Sequence, residues 1–349
     1  MSAIGYKGIL GLAKQTAMET ALDVTDRVPF MSEGMKVTPA FVEHDYLGGT
    51  ARMRDIQNVF NPAGGSLEVP VIYTVLNTGE FVSMDLLLAA AMGTNDWDAA
   101  NSVNQLTFKD DLDVMLTAAV YKGITGIVWE SLACFINSMT LGCAAGESLK
   151  ATFEMIIGEL VKTSTVNEQA DLVGLPDDLI QLLTFNQLTF RIGDHSGALS
   201  ASDEVCISSF EISVNNNLTS DEQATPCNTV NTDSKTQIQP VRNGFRETTL
   251  TIELPRYASD AFQTYKSAGT NLQCDIVFTD STSSFTILFP NLVVTDSGAP
   301  ISGAGAVKQT VTLKALGFIT GSDVAFSDSS TDNGEMWIEL DNERTAAII

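Results

Sequence analysis

Two histidines among 349 residues are the first places to look for chemistry. His44 stands in Glu43-His44-Asp45, which superficially resembles a metal-ligand or general-base arrangement. A strand is expected near 36–43, and consecutive strand residues point to opposite faces, so Glu43 and His44 would not converge. General-base work also needs a positioned partner, and a solvated strand edge accounts for the triplet. His195 lies in Gly193-Asp194-His195-Ser196-Gly197, which is turn composition. A Ser/His/Asp arrangement is compatible with those residues, yet no G-x-S-x-G elbow accompanies any serine. Cys134, Cys143, Cys206, Cys227 and Cys274 are widely spaced and form no C-x-x-C pair. With two distant histidines they give no zinc spacing.

The acidic loop 328–335 invites a calcium reading. With Gly334 as the glycine of position six, Ser329, Thr331 and Asn333 fall at positions one, three and five. Position twelve is then Leu340, where a bidentate Glu is required, so the register fails. Asp110/Asp111/Asp113 and Asp177/Asp178 read as loops or helix starts. Gly303-Ala304-Gly305 lacks the rest of a phosphate-binding fingerprint, and no G-K-[ST] occurs at Walker spacing. No catalytic residue, cofactor-binding residue or metal ligand is therefore expected. The surface itself is the function, although individual self-assembly residues are not assigned by the sequence.

Charge narrows the partners. Nineteen Lys and Arg oppose 43 Asp and Glu, a formal net charge of −24, and the pI is near 4.2. Nucleic-acid binding needs clustered basic residues to neutralise phosphates, and docking on an anionic membrane needs the same. Both are excluded as the main activity. Apolar residues make up 44% of the chain, enough for two cores. An odd, sparse set of cysteines fits reduced thiols in a cytosolic product. The start MSAIGYKGILGLAKQTA shows no secretory signal pattern, and no membrane-spanning run is expected. Without such a signal the Asn217-Leu218-Thr219 sequon carries little weight.

The elements that must build that surface are mostly of period two. Leu250, Ile252 and Leu254 alternate with Thr251 and Glu253; Val311, Leu313 and Ala315 alternate with Thr312 and Lys314. Leu149, Ala151, Phe153 and Met155 alternate with Lys150, Thr152 and Glu154, and Phe210-Ile212-Val214 and Phe285-Ile287-Phe289 behave likewise. These are half-buried antiparallel strands. Residues 81–92 and 258–268 read as helices that stop at Gly93 and Gly269. The class is mainly β with minor α.

Element order repeats along the chain. The first half reads strand near 36–43, strand near 66–76, helix 81–92, then strands near 117–122, 127–136 and 148–157. The second reads strand 205–214, strand 245–254, helix 258–268, then strands 272–278, 284–294 and 306–316. Residues 135–155 can be laid against 289–313, matching Phe135 with Phe289, Asn137 with Asn291, Lys150 with Lys308 and Thr152 with Thr310. In that alignment the second loop is four residues longer. A tandem duplication is one reading; two unrelated β domains are the other. The expected organisation is an N-terminal arm 1–28, a β domain 29–162, a linker 163–183, a second β domain 184–320 and a C-terminal extension 321–349. Residues 219–243 read as a long loop.

Several segments together resemble the tail tube (major tail) proteins of long-tailed, non-contractile bacteriophages. They are Ser209–Leu218, Phe285–Leu292, Ala299–Lys308 running into Thr310–Leu316, and Trp337–Arg344, with Gly5-Tyr-Lys-Gly8, Pro29-Phe30 and Ser32-Glu33 in the first half. Residues 95–125 depart most from that pattern. The resemblance implies two tandem tail-tube-like β-barrel or sandwich domains, each with a flanking helix. Their inner sheets would join between neighbours into rings that stack into a hollow tube. It implies a virion protein of the phage tail, made and assembled in the host bacterial cytoplasm. Its partners would be itself, the tape-measure protein, and the tail-tip and tail-terminator proteins. Double-stranded DNA would transit the lumen without specific binding, which excess acid suits. Two duplicated domains per chain would give a trimer with pseudo-sixfold symmetry, whose competitor is a hexamer of whole chains. The remaining alternatives are the tube of a contractile injection or secretion system, and a β-sandwich adhesin or carbohydrate-binding module. For the adhesin, Trp97, Trp129 and Trp337 are too dispersed, and core packing explains them more simply. No cofactor and no enzymatic activity are expected.

Overall fold

Alternating apolar residues find their partners in one large antiparallel sheet that runs through both halves of the chain. The computed structural model describes residues 5–18, 20–43, 56–72, 84–110, 114–164, 166–175, 182–219, 239–279, 284–301, 303–317, 334–341 and 348. The first half contributes β1 (Ile9–Gln15), β2 (Asp26–Val28), β3 (Ser32–Glu33), β4 (Lys36–Val37), β5 (Ala40–Glu43), β6 (Ile56–Phe60) and β7 (Ala63–Pro70). Helix α1 (Met84–Met92) follows, then β8 (Gly93–Asp98), β9 (Val103–Phe108), β10 (Met115–Tyr121), β11 (Val128–Ala144), β12 (Lys150–Val161) and the short α2 (Gln169–Gly174). The second half contributes β13 (Leu188–Asp194), β14 (Ser209–Asn215), β15 (Glu247–Leu254), α3 (Ala261–Ala268), β16 (Asn271–Thr279), β17 (Ser284–Gly298), β18 (Gln309–Ala315) and β19 (Trp337–Asp341). Only β5 and β6 stand apart, as a two-stranded sheet.

Strand order in the two halves is the same. In the first, β2–β1–β10–β11–β12–β7 are neighbours in that order, and β3 and β4 lie on the far side of β7. In the second, β13–β16–β17–β18–β15–β14 repeat the path from β1 through β10, β11, β12 and β7 to β3 and β4. Each half places one helix between corresponding strands, α1 after β7 and α3 after β15. Register irregularities coincide too. A break between Leu116 and Ala118 against β11 answers one between Leu272 and Cys274 against β17. A break between Ile136 and Ser138 answers one between Val294 and Asp296. Bulges re-aim a strand and accumulate twist, so matching bulges give the two ladders matching curvature.

Those bulges correct the residue alignment of the sequence. Met155 opposite Ile136 corresponds to Leu313 opposite Val294, which keeps Lys150 with Lys308 and Thr152 with Thr310. Phe135 then falls on Val293 and Asn137 on Thr295, so the Phe-x-Asn match is coincidental. The chain from Ser138 to Glu154 is as long as that from Asp296 to Thr312, so neither connection is longer.

Other expectations shift as well. Within the expected N-terminal arm, β1 pairs with β10 along its whole length, and Leu10 and Leu12 are fully buried. Segment 36–43 splits between two sheets, because β4 pairs with β7 whereas β5 pairs with β6. The strand expected at 66–76 starts at Ala63 and ends at Pro70. Its Gly-Gly pair is sterically required, since a Cβ at Gly65 would lie 2.4 Å from the Gly34 carbonyl oxygen. The expected polar linker 163–183 is fastened to the first half. Ser164 Oγ and Asn167 Nδ2 each donate to Glu130 at 2.6 Å, and Leu172 of α2 is buried against Val24, Ala119 and Tyr121. The amphipathic piece expected after Pro176 lies largely outside the described residues.

The core is continuous across both halves. Leu67, Leu87, Phe153, Phe210, Ile252, Phe285 and Ile338 belong to one buried cluster. Helix α1, MDLLLAAAM, is apolar but for Asp85, and every residue of it is buried, as so apolar a helix favours. It packs on β11 and on the hairpin β8–β9, an insertion with no counterpart between α3 and β16. Helix α3 is amphipathic; Phe262 alone is buried, and Gly269 closes it with φ 64°. Strand β19 lies between β17 and β9, opposite Ile287 on one side and Leu106 on the other, and so stitches the halves together. Part of the expected C-terminal extension is therefore core.

Candidate assembly surface

One face of the sheet is polar along β7, β12, β11, β14, β15 and β18. The side chains that alternate there with the buried residues are mostly Ser, Thr, Glu and Lys, until Ala133, Phe135, Ile156 and Leu218 cover the far end of β11 and β12. A single cross-strand row runs Glu68, Thr152, Thr140, Ser213, Thr249, Lys314. A second runs Lys150, Gly142, Glu211, Thr251, Thr312. The buried face beneath carries Phe153, Leu141, Ile212, Leu250 and Val311, all fully inaccessible. Such alternation is the mark of a sheet with one face on a core and one in water. A shallow groove of about 470 Å³ crosses this face at Glu68, Thr140, Lys150, Glu211, Thr251 and Glu253.

Lysines on this face are engaged by carboxylates. Lys308 Nζ donates to Glu253 Oε1 at 2.7 Å, Lys314 lies 3.5 Å from Glu247 and Lys150 lies 3.7 Å from Glu147. The Lys308 and Ser208 hydrogen bonds hold the Glu253 carboxyl below its usual range. Glu68, Glu154 and Glu211 add further negative charge. A face of this kind presents hydroxyls and carboxylates, with its cations neutralised locally.

The halves meet at the pairing of β11 with β14. Ser138 stands opposite Asn215, Met139 opposite Val214, Thr140 opposite Ser213, Leu141 opposite Ile212 and Cys143 opposite Phe210. Strand β14 thus serves two ladders, with β15 of its own half on one side and β11 of the other half on the other. Side chains lock the joint. Asn216 Nδ2 donates to Ala91 O at 3.0 Å and to Ile136 O at 3.2 Å, and Asn137 Oδ1 accepts from Leu218 N at 2.8 Å. Asn217, with φ 51°, turns the chain so that Leu218 covers Ala133, Phe135 and Ile156. The strand expected near 127–136 runs on to Ala144 rather than giving way to the loop of the 135–155 alignment. Small residues serve instead to let two backbones approach, since a Cβ on Gly142 would sit 3.2 Å from Phe210 O.

Among the described residues, those singled out for chemistry are not brought together. His44 and Asp45 lie outside the described residues, as do Asp111, Asp113, Asp177, Asp178, Cys227 and residues 328–333. His195 follows β13, with Nδ1 3.6 Å from the exposed Asp194 of its own turn. Asp194 in turn accepts from Ser196 at 2.6 Å, a local turn bond. Cys134, Cys143 and Cys274 are buried free thiols, and Cys206 is an exposed one. Among the described residues no group of three or more His, Cys, Asp or Glu is placed to hold a metal ion. Trp337 is fully buried in the seam, and of the loop 219–243 only the ends are described. Glu335, from the acidic loop, pairs with Arg246 at 2.8 Å while that guanidinium stacks 4.0 Å above Phe108. Sequence reading missed this seam contact and the bidentate Arg191–Asp275 pair between β13 and β16. A lone Arg in an alternating strand was its only trace.

The chain is mainly antiparallel, presents an extended polar sheet and joins its own halves edge to edge. Residues 5–315 match the family of phage tail tube proteins, and the chain belongs to that family. The protein is a structural component of the virion tail. No curated protein matches the chain. Among the described residues no helix is long and apolar enough to cross a membrane.

Proposed function

We propose that this chain is the major tail tube subunit of a long-tailed, non-contractile phage, and that three copies form each ring with pseudo-sixfold symmetry. Rings stack into a hollow tube through which double-stranded DNA leaves the particle. The observation that carries the reading is the β11–β14 joint between two ladders of matching order, curvature and bulge position. The two halves are products of a tandem duplication, and each supplies one of six quasi-equivalent positions. Cyclic closure satisfies strand edges that would otherwise aggregate.

The polar face lines the channel. Its carboxylates and hydroxyls give a sliding duplex little to hold, because the cations available for phosphate contact are paired with Glu253, Glu247 and Glu147. Tape-measure, tail-tip and tail-terminator proteins are the expected partners of the assembled tube, and host cytoplasm is the site of assembly. Electron microscopy of assembled tubes viewed end-on tests the proposal. Threefold rings with six lobes are expected. Rings of six whole chains would keep the tube and reject the trimer, whereas a chain that stays monomeric with its tail-tip complex and tape measure supplied would reject the tube.

A further inference from the structure

Within one chain, β11 runs past the start of β10, and its residues 138–144 accept β14 on the edge that β10 vacates. Strand β17 does the same in the second half. It leaves β16 at Asn271–Val293 and continues to Gly298, paired on its other edge with β18. Among the described residues nothing pairs with the vacated edge of 294–298. At the opposite end of the chain, β3 and β4 pair with β7 on one edge, and no described strand pairs with the other.

These two edges are the counterparts of the two that meet inside the chain. Ser209 lies opposite Glu253 as Ser32 lies opposite Glu68, and Ser208 N donates to Glu253 O as Met31 N donates to Glu68 O. Hence Lys36 and Val37 stand where Ser213 and Val214 stand. The paired bulges put Asp296, Ser297 and Gly298 where Ser138, Met139 and Thr140 stand.

We propose that β3–β4 of a second copy of this chain adds to the 294–298 edge of β17 in the register of the β11–β14 joint. Lys36 of the second copy then lies opposite Gly298, and Val37 opposite Ser297. The joint rests on the ring reading of the chain and fixes its contact residues.

Burial at the two sites supports the assignment. Met139, Leu141 and Cys143 are buried under β14, whereas Ser297 and Ala299 are half-exposed and Ile301 is 80% exposed. Leu218 is buried on Ala133 and Phe135, whereas Phe41, at the same distance beyond its strand, is 55% exposed. In the joint, Phe41 descends on the half-buried Val293 and the aliphatic stem of Lys314, which occupy the places of Phe135 and Ile156. Val42 and Ile56 of the same hairpin are also exposed apolar residues. Lys36 comes diagonal to Asp296, which already accepts from Lys266 of α3 at 2.7 Å, so it joins an existing charge pair. A Cβ on Gly298 meets nothing within 4 Å in the single chain. The edge is open there, whereas Gly142 beside β14 is crowded. The contact is head-to-tail, so repetition of the internal half-to-half step closes a ring or fails to close.

The test uses full-length chain assembled into tubes, with Cys206 and Cys227 changed to serine. Lys36→Cys with Gly298→Cys places two thiols on directly opposed residues, whose Cα separation of about 4.5–5.5 Å suits a disulfide. Ser32→Cys with Gly298→Cys is the out-of-register control. Mild oxidation should convert the first variant to reducible covalent trimers and leave the control as single chains. Intact threefold tubes in which the first variant does not link, or in which the control links instead, overturn the joint and leave the tube standing. Covalent hexamers keep the joint and reject the three-chain ring. Absence of both tubes and links rejects both. Independently, Phe41→Asp should lower tube yield by about tenfold or more through an unpaired interfacial charge, with thermal unfolding of the free chain unchanged. Unchanged yield overturns the seating of Phe41.

Discussion

Replacing Ile338 by alanine should weaken both halves of the molecule at once. Ile338 is fully buried in β19, between Ile287 of the second half and Leu106 of the first. The substitution deletes about three buried methyl or methylene groups, or about 2.4 kcal/mol of transfer free energy at about 0.8 each. A cavity left between two strands that are tied to the rest of the sheet collapses poorly, so the cost should rise to about 3–4 kcal/mol, within the range of about 2–5 for buried Ile→Ala. That is a large fraction of a typical net stability of about 5–15 kcal/mol. Ile338→Val should cost about 0.5–1.5 kcal/mol, and Thr312→Ala, on the polar face, within about 0.5. Urea unfolding followed by far-UV circular dichroism and tryptophan fluorescence reads the effect. Trp337 reports the seam, while Trp97 and Trp129 report the first half. The two signals should move together in a single transition shifted to lower denaturant. A cost below about 1 kcal/mol for Ile338→Ala, or two separated transitions in the parent chain, would refute the claim that β19 stitches one shared core.

Three further outcomes follow from the same coordinates. Deleting residues 1–20 removes β1 together with Leu10, Leu12 and the Gln15 side chain that bonds Ala133 N at 2.7 Å, so the truncated chain should lose cooperative unfolding; a soluble product with the parent's melting curve would count against it. Thiol labelling of the native protein at pH 8, mapped by mass spectrometry, should modify Cys206 and spare Cys134, Cys143 and Cys274, because burial pushes Cys134 up to about 12 and Cys143 up to about 11; labelling of Cys134 without denaturant would show that β10–β11 opens. Lys308→Met should raise the Glu253 pKa toward its usual value. A depressed carboxyl stabilises the fold above its unfolded pKa and loses that contribution as pH falls through the folded value, so the variant should show a weaker acid-side dependence, and an unmoved Glu253 titration by NMR would refute the pairing.

Much of the architecture was legible because its signals are local. Strict alternation in 250–254, 311–315 and 149–155 can bury one face only as a strand, and the structure has strands there. The two helices were legible from composition and from their glycine stops. Other elements carried no local signature. Ile9–Gln15 reads as a start rather than a strand, and its burial comes from β10, reached after a long intervening stretch of chain. Residues 137–144 do alternate at Met139, Leu141 and Cys143, but nothing local marks them as the edge that receives β14.

The absence of any residue pattern for catalysis, the excess of acid and the two-sided strands belong to the sequence alone, because each is a property of composition or of nearest neighbours. Which edges meet belongs to the tertiary structure. The matching of Lys150 with Lys308 survives folding, whereas that of Phe135 with Phe289 does not. A strand fixes its pairing through bulges and through the partner's register, and neither is encoded in one strand's own residues. The joint at Thr140 and Ser213 exists only once both ladders have formed.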